Sequence, residues 1–211
     1  MALVMPARQS TGFLLPMLIM ADVFAIVYWR RHVHWRSLVL LLPWTWAGLG
    51  IGYVCMGRVT DAQLKPIIGL IVLVLVIGSW IRERAVPDDR VPTHWTFAAG
   101  AGLLAGVTTM MANAAGPIMA IYLLAMRFDK ERFIGTQAWF FWIVNLSKLP
   151  LSRKLGLVTT QTLQANLYVL PAILAGGVLG ILLVHRISQK AFDAAVRVLA
   201  IGAGIYLCVC P

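Results

Sequence analysis

The chain has 211 residues, of which 60% are hydrophobic and only 12% charged, and its mean hydropathy is +0.83. Soluble domains carry roughly 45–50% apolar and about 25% charged residues, and a globule of this size in water could not hide so much apolar surface, so disorder, coiled coil and soluble enzyme fall away. The formal net charge of +10 would suit a nucleic-acid binder, but sixteen of the eighteen Lys and Arg lie in short stretches between apolar runs, which is loop charge flanking a bilayer; membrane lipid is the expected partner and nucleic acid is not.

In chain order, 21 residues broken only by Asp22 separate Arg8 from Arg30, and 21 uncharged residues separate Arg36 from Arg58. About 20 residues at a 1.5 Å rise cross a hydrocarbon core of about 30 Å, so each stretch predicts a spanning helix. Pro66 to Ile81 is a shorter third span, lengthened by Leu64 and by snorkelling of Lys65 and Arg82. Val91 to Met126 holds 36 residues without a formal charge, which as one helix would run about 54 Å, far more than one crossing needs. Phe133 to Leu151 follows, interrupted only by Lys148, then Leu155 to His185, then a final segment from Ala191 with Asp193 and Arg197 one turn apart. Trp29, Trp35, Trp80, Trp95 and Tyr206 fall near segment ends, where an aromatic belt belongs. The predicted fold is all-α, a polytopic transmembrane helical bundle.

The 36-residue segment must break, and the letters show where. Between Gly106 and Pro117, the residues Asn113, Gly116 and Pro117 interrupt a helical pattern that resumes at Ile118. Proline suits the first turn of the new half-helix because the N–H it lacks would have no partner there. Irregular backbone around residues 112–117 at membrane depth is tolerated only where protein or a water-filled cavity supplies partners, which makes the break a candidate site. A half-helix N-terminus offers N–H groups and a partial positive charge to an anion. Thr108, Thr109, Asn113, Gly116 and Pro117 are therefore candidate substrate-binding residues; the alternative is that the Thr hydroxyls back-bond to carbonyls and Asn113 caps a helix.

Lys148, just before Pro150, is the counter-charge for an anion if it points inward and an interfacial snorkel if it does not. Asn145 lies three residues earlier on the same helical face and joins it as a candidate substrate-binding residue. Asp22 sits fourteen residues into its 21-residue span, a costly place for a carboxyl unless it is paired or protonated. It is the candidate coupling residue, through an ion pair with Lys148 or by carrying a proton, with a structural hydrogen bond as the alternative. His32 and His34 read as interface residues in a basic loop rather than a metal pair, and the three cysteines, Cys55, Cys208 and Cys210, as packing residues in apolar segments. No Ser-His-Asp order, carboxylate pair or nucleotide loop is present, so no catalytic residue, metal or cofactor is assigned and the chain does not read as an enzyme. No secretory signal pattern precedes the first segment.

Sliding the chain against itself by 128 residues places Leu42, Pro43, Ala47, Gly48, Gly52 and Arg58 on Leu170, Pro171, Ala175, Gly176, Gly180 and Arg186, and a shift of 123 places Gly12 on Gly135 and Asp22 on Asn145. The expected organisation is two internal repeats. Residues 1–90 form the first, N-terminally incomplete with three transmembrane helices; residues 91–211 form the second, a broken helix plus three. The counterpart of the broken segment would precede residue 1, so the chain reads as lacking one N-terminal helical unit. The pairs Gly48 and Gly52, and Gly176 and Gly180, read as small-xxx-small helix contacts. If the broken segment crosses once, the sixteen loop charges divide eight against eight; if it returns as a hairpin, they divide eleven against five, which the positive-inside rule favours. The hairpin also inverts one repeat relative to the other, although its returning leg from Pro117 to Met126 spans only about 15 Å.

Three stretches carry a family likeness: Pro6-Ala-Arg-Gln-Ser-Thr-Gly12 with Pro16 and Ala21-Asp-Val-Phe-Ala25, then Ala105 through Pro117, and Phe133-Ile-Gly-Thr136 followed by Asn145 and Lys148-Leu-Pro150. Together they resemble the sulfite exporter TauE/SafE family of membrane transporters over essentially the whole chain. The resemblance implies export or uptake of small anions, often sulfur-containing ones such as sulfite or organosulfonates, by a multi-pass carrier of the bacterial inner membrane. The departure is the absent first Gly-rich helix, which bears on transport competence. The reading is a secondary transporter of small anions with alternating access between two repeats, its partners a small anionic substrate and lipid, with a homo-oligomer left open. The alternative is a non-transporting membrane subunit or truncated fragment that needs a partner helix.

Overall fold

Apolar runs bounded by charge fold as helices wherever the chain is described. In the computed structural model these are residues 7–56, Gln63, Leu70, Leu73, Val74, Val76, Ile77 and 95–209, so most of the third span, Pro66 to Ile81, lies outside them. Seven helices are found among the described residues: α1 (Ala7–Trp29), α2 (Trp35–Cys55), α3 (Trp95–Ala112), α4 (Ala115–Ala125), α5 (Lys130–Lys154), α6 (Thr160–Arg186) and α7 (Gln189–Val209). Four of them contain stretches long and apolar enough to cross a bilayer: Gly12–Trp29, Trp35–Cys55, Trp95–Ala112 and Thr162–Arg186. The fold is an all-α, polytopic helical membrane fold.

Two compact units form, and each combines two separated stretches of the chain. The first comprises Met1–Leu38 and Lys130–Ser188, the second Val39–Asp129 and Gln189–Pro211. They group residues by packing, whereas the 1–90 and 91–211 halves are a proposal about duplication.

In the first unit α1 packs against both α5 and α6. A Cβ at Gly12 would run into the backbone carbonyl of Leu157, and one at Gly135 would lie 3.0 Å from Trp29 O, so glycine at each position lets another backbone come close. One end of the unit is tied together by polar contacts. Lys130 Nζ donates to Val184 O and to Ile187 O, both at 2.8 Å, satisfying carbonyls at the C-terminus of α6 that have no helical partner. His32 Nε2 meets Glu131 Oε2 at 3.0 Å, the His34 N–H donates to Thr136 Oγ1 at 2.9 Å, and Trp29 stacks on His185 with ring centres 5.6 Å apart. The two loop histidines are thus held by a carboxylate, a hydroxyl and aromatic rings. Along α6 the outward side chains are apolar and bare, Tyr168 at 89% exposure and Leu179 at 66%, as a lipid-facing helix requires.

In the second unit α2 crosses α3 at glycines. Gly106 faces the Thr45 carbonyl, and a Cβ there would stand 2.9 Å from Gly48 Cα; one at Gly52 would meet Met110 Cβ at 2.8 Å. Small residues therefore bring the two backbones together. The residues that the 128-residue shift aligns with Gly48 and Gly52 behave differently: nothing among the described residues lies within 4 Å of a Cβ at Gly176 or Gly180, so that pair is open rather than the helix contact expected of it.

Candidate functional site

The 36-residue segment breaks where its letters suggested. Asn113 adopts φ +52°, the left-handed conformation that asparagine accepts more readily than other non-glycine residues, and its N–H donates to Thr109 O at 3.1 Å, with Ala114 N–H donating to Thr108 O at 3.3 Å. These bonds end α3 in an αL cap. After Ala114 the chain restarts as α4, whose N-cap supplies no side-chain hydrogen bond. The first-turn amides of Ala115 and Gly116 accordingly have no intrahelical acceptor, and Pro117 has no N–H to add. Ala112, Asn113, Ala114, Gly116 and Pro117 are all half-buried, and nothing among the described residues lies within 4 Å of where a Cβ on Gly116 would stand. An anion reaching this tip would meet the partial positive charge of a helix N-terminus, with open space beside Gly116 and Ala115 fully buried behind it.

α4 then runs back along α3. Phe97 near the start of α3 stacks on Tyr122 near the end of α4 with centres 5.4 Å apart, and a cavity of about 140 Å³ lies between Thr96, Phe97, Ala101 and Ile118, Ile121, Tyr122. The segment is a helical hairpin with Asn113 and Ala114 at its tip. Its eleven-residue return leg covers about 16 Å. Thr108 and Thr109 are each 2% exposed. The Thr108 hydroxyl donates to Leu104 O at 2.8 Å, so its proton is spent inside the helix.

The remaining candidates meet in the first unit. Asn145 Nδ2 donates to Asp22 Oδ2 at 2.8 Å, joining two residues that the 123-residue shift aligns. Lys148, one turn further along α5, is 0% exposed and interacts electrostatically with Asp22. It is buried rather than reaching for the interface, and an ammonium out of water is sustained only by an opposite charge and hydrogen bonds. One more turn along the same face lies Ser152, also 0% exposed, whose Oγ has no partner among the described residues, as is true of Asn145 Oδ1. Ser152 was not singled out in the sequence; its spacing of four from Lys148 was the available signal. Asn166 on α6 is likewise buried, donating to Phe13 O at 3.2 Å and Thr162 O at 2.6 Å. It serves to tie α6 to α1.

A family model described as Sulfite exporter TauE/SafE matches residues 1–207. The chain belongs to the sulfite exporter TauE/SafE family. A relative from Comamonas testosteroni, "Probable inner membrane transporter protein TsaS", is 29% identical over 184 residues, which cover 84% of this chain and 73% of that protein. No solved structure matches. This TauE/SafE chain is a membrane transporter and not an enzyme.

Proposed function

We propose that the chain is a secondary transporter of small anions, sulfur oxyanions and organosulfonates among them, working by alternating access in the bacterial inner membrane. The observation that carries the reading is the start of α4, which has no side-chain cap, with open space beside Gly116 at a break between two apolar helices. Neutral donors and a helix dipole hold an anion without the full cost of burying a counter-ion, and they release it again. Asn113 shapes the tip, Pro117 fixes the first turn of α4, and Thr108 and Thr109 line the buried approach. Asn145 and Lys148 form a second polar cluster for the anion, and Asp22, bonded to Asn145, couples its passage to a proton.

The test is flux of labelled sulfite, thiosulfate, a sulfonate and a carboxylate into proteoliposomes. Gly116→Leu adds a side chain into empty space, so the protein should purify and melt like the parent while anion flux falls at least about tenfold, the loss expected when a single oriented donor site is blocked. Asn113→Ala and Lys148→Ala should lower flux as well. Unchanged flux in Gly116→Leu would remove the hairpin tip from the anion's path.

A further inference from the structure

Away from both clusters, the second unit holds an open cavity of about 590 Å³ between the end of α4 and the first two turns of α7, within the range of small-ligand pockets. Arg127, Phe128 and Asp129 line one wall and Gln189, Asp193 and Arg197 the other. The α7 residues recur every fourth position, so they share one face and point together. Gln189 Nε2 donates to Asp193 Oδ1 at 2.8 Å and to Phe128 O at 3.4 Å, which fixes the loop to the helix. Arg127 and Asp129 stand exposed at the lip, while Asp193 and Arg197 are half-buried below them.

Arg127 takes φ +53°, a conformation a non-glycine residue seldom adopts, and it follows the end of α4 with its guanidinium among the lining residues. Two guanidiniums and two carboxylates leave the lining formally neutral but strongly dipolar. All four also engage protein groups; because both signs line one cavity, a simple anion or cation gains from one pair and is repelled by the other. A molecule carrying both charges gains from both pairs. The apolar side chains of Leu124 and Phe128 complete the wall, at the point where the apolar run of α4 gives way to charge, which is headgroup depth in a bilayer.

We infer that this cavity binds a phosphorylated primary amine, its phosphate on Arg127 and Arg197 and its ammonium on Asp129 and Asp193. The chemistry is that of a phosphoethanolamine headgroup, whether on a phospholipid or free. Guanidinium pairs phosphate through directed charge-assisted bonds. A primary ammonium offers three N–H donors to the carboxylates, where a quaternary choline offers none and a phosphoglycerol headgroup no cation at all.

The experiment uses the whole chain, purified and exchanged into equal parts phosphatidylethanolamine, phosphatidylcholine and phosphatidylglycerol, then stripped with detergent before the retained lipid is quantified by mass spectrometry. Phosphatidylethanolamine should be retained about tenfold over either other lipid, and D193N and R197Q should each remove that preference, since loss of one charge-assisted bond is worth about a factor of ten. R127Q, at the exposed lip and outside α7, should lower retention even if the α7 variants fail to fold. Free O-phosphoethanolamine that displaces the lipid shows the headgroup chemistry suffices; free compound that binds while no lipid is retained assigns the site to a soluble zwitterion. Equal retention of all three lipids with no binding of the free compound overturns the inference, as does parental preference in R127Q. None of these readouts involves flux, so failure here leaves the transport reading standing.

Discussion

A titrating side chain reports its surroundings, and His34 does so outside the membrane. Partial burial first, then the charges of Arg132 and Arg36, hold its imidazole below the ordinary value of 6.5. Its Nδ1 also lies 2.9 Å from Ser37 Oγ. The folded chain binds this proton less readily than the unfolded chain does, so the associated stability is present above pH about 6.5 and is lost as pH falls below it toward the lowered native value. His34→Asn keeps an acceptor near Ser37 but cannot titrate. Its thermal midpoint should therefore fall less than the parent's between pH about 7 and about 5; parallel curves would remove His34 from the acid response. At this scale the sequence was legible where position alone carried a cost. Asp22 and Lys148 stood out because charge inside an apolar run demands a partner, and the structure places Asn145 on Asp22. The fate of the Thr108 proton was not legible, because a hydroxyl's target depends on a rotamer that the sequence leaves open. Ser152 escaped for a related reason: a helical serine is unremarkable until its burial is known.

Helices repeat the lesson, because the same letters pack or do not pack according to what arrives opposite them. Gly48 and Gly52 meet α3, whereas Gly176 and Gly180, matching them letter for letter at a shift of 128, meet nothing among the described residues. Gly106→Leu should therefore push α2 from α3 and destabilise the protein by about 1–3 kcal/mol or more, the cost of overpacking. Gly180→Leu meets no obstacle and replaces a poor helix former by a good one, so it should be neutral or stabilising by up to about 1 kcal/mol. Thermal melts of the two variants in detergent read the difference directly, and equal losses would contradict the packing described. The helix break was legible from Asn113, Gly116 and Pro117 because each acts on its own backbone. The open face of α6 was not, since the absence of a partner has no local sign.

The sense in which the whole molecule enters the bilayer turns on one question that counting charges could not answer: whether residues 95–125 cross once or fold back. The antiparallel stacking of Phe97 on Tyr122 describes a hairpin, the arrangement in which the loop charges divide unevenly. The first unit gives an independent count. Contacts among Trp29, His32, Lys130, Glu131, Val184 and His185 gather the ends of α1, α5 and α6, and that end carries Arg30, Arg31, Arg36, Lys130, Arg132 and Arg186. Arg153 and Lys154 lie at the other end of α5, 25 residues and about 37 Å along the helix. Under the positive-inside rule the six-charge end faces the cytoplasm. With Cys55, Cys208 and Cys210 replaced by serine, Lys154→Cys should react with a membrane-impermeant maleimide on intact cells, and Arg31→Cys only after permeabilisation; both native side chains are exposed, so access through the protein is not the obstacle. The reverse pattern would invert the orientation, and equal labelling of the two from outside would break the assignment of residues 31 and 154 to opposite faces.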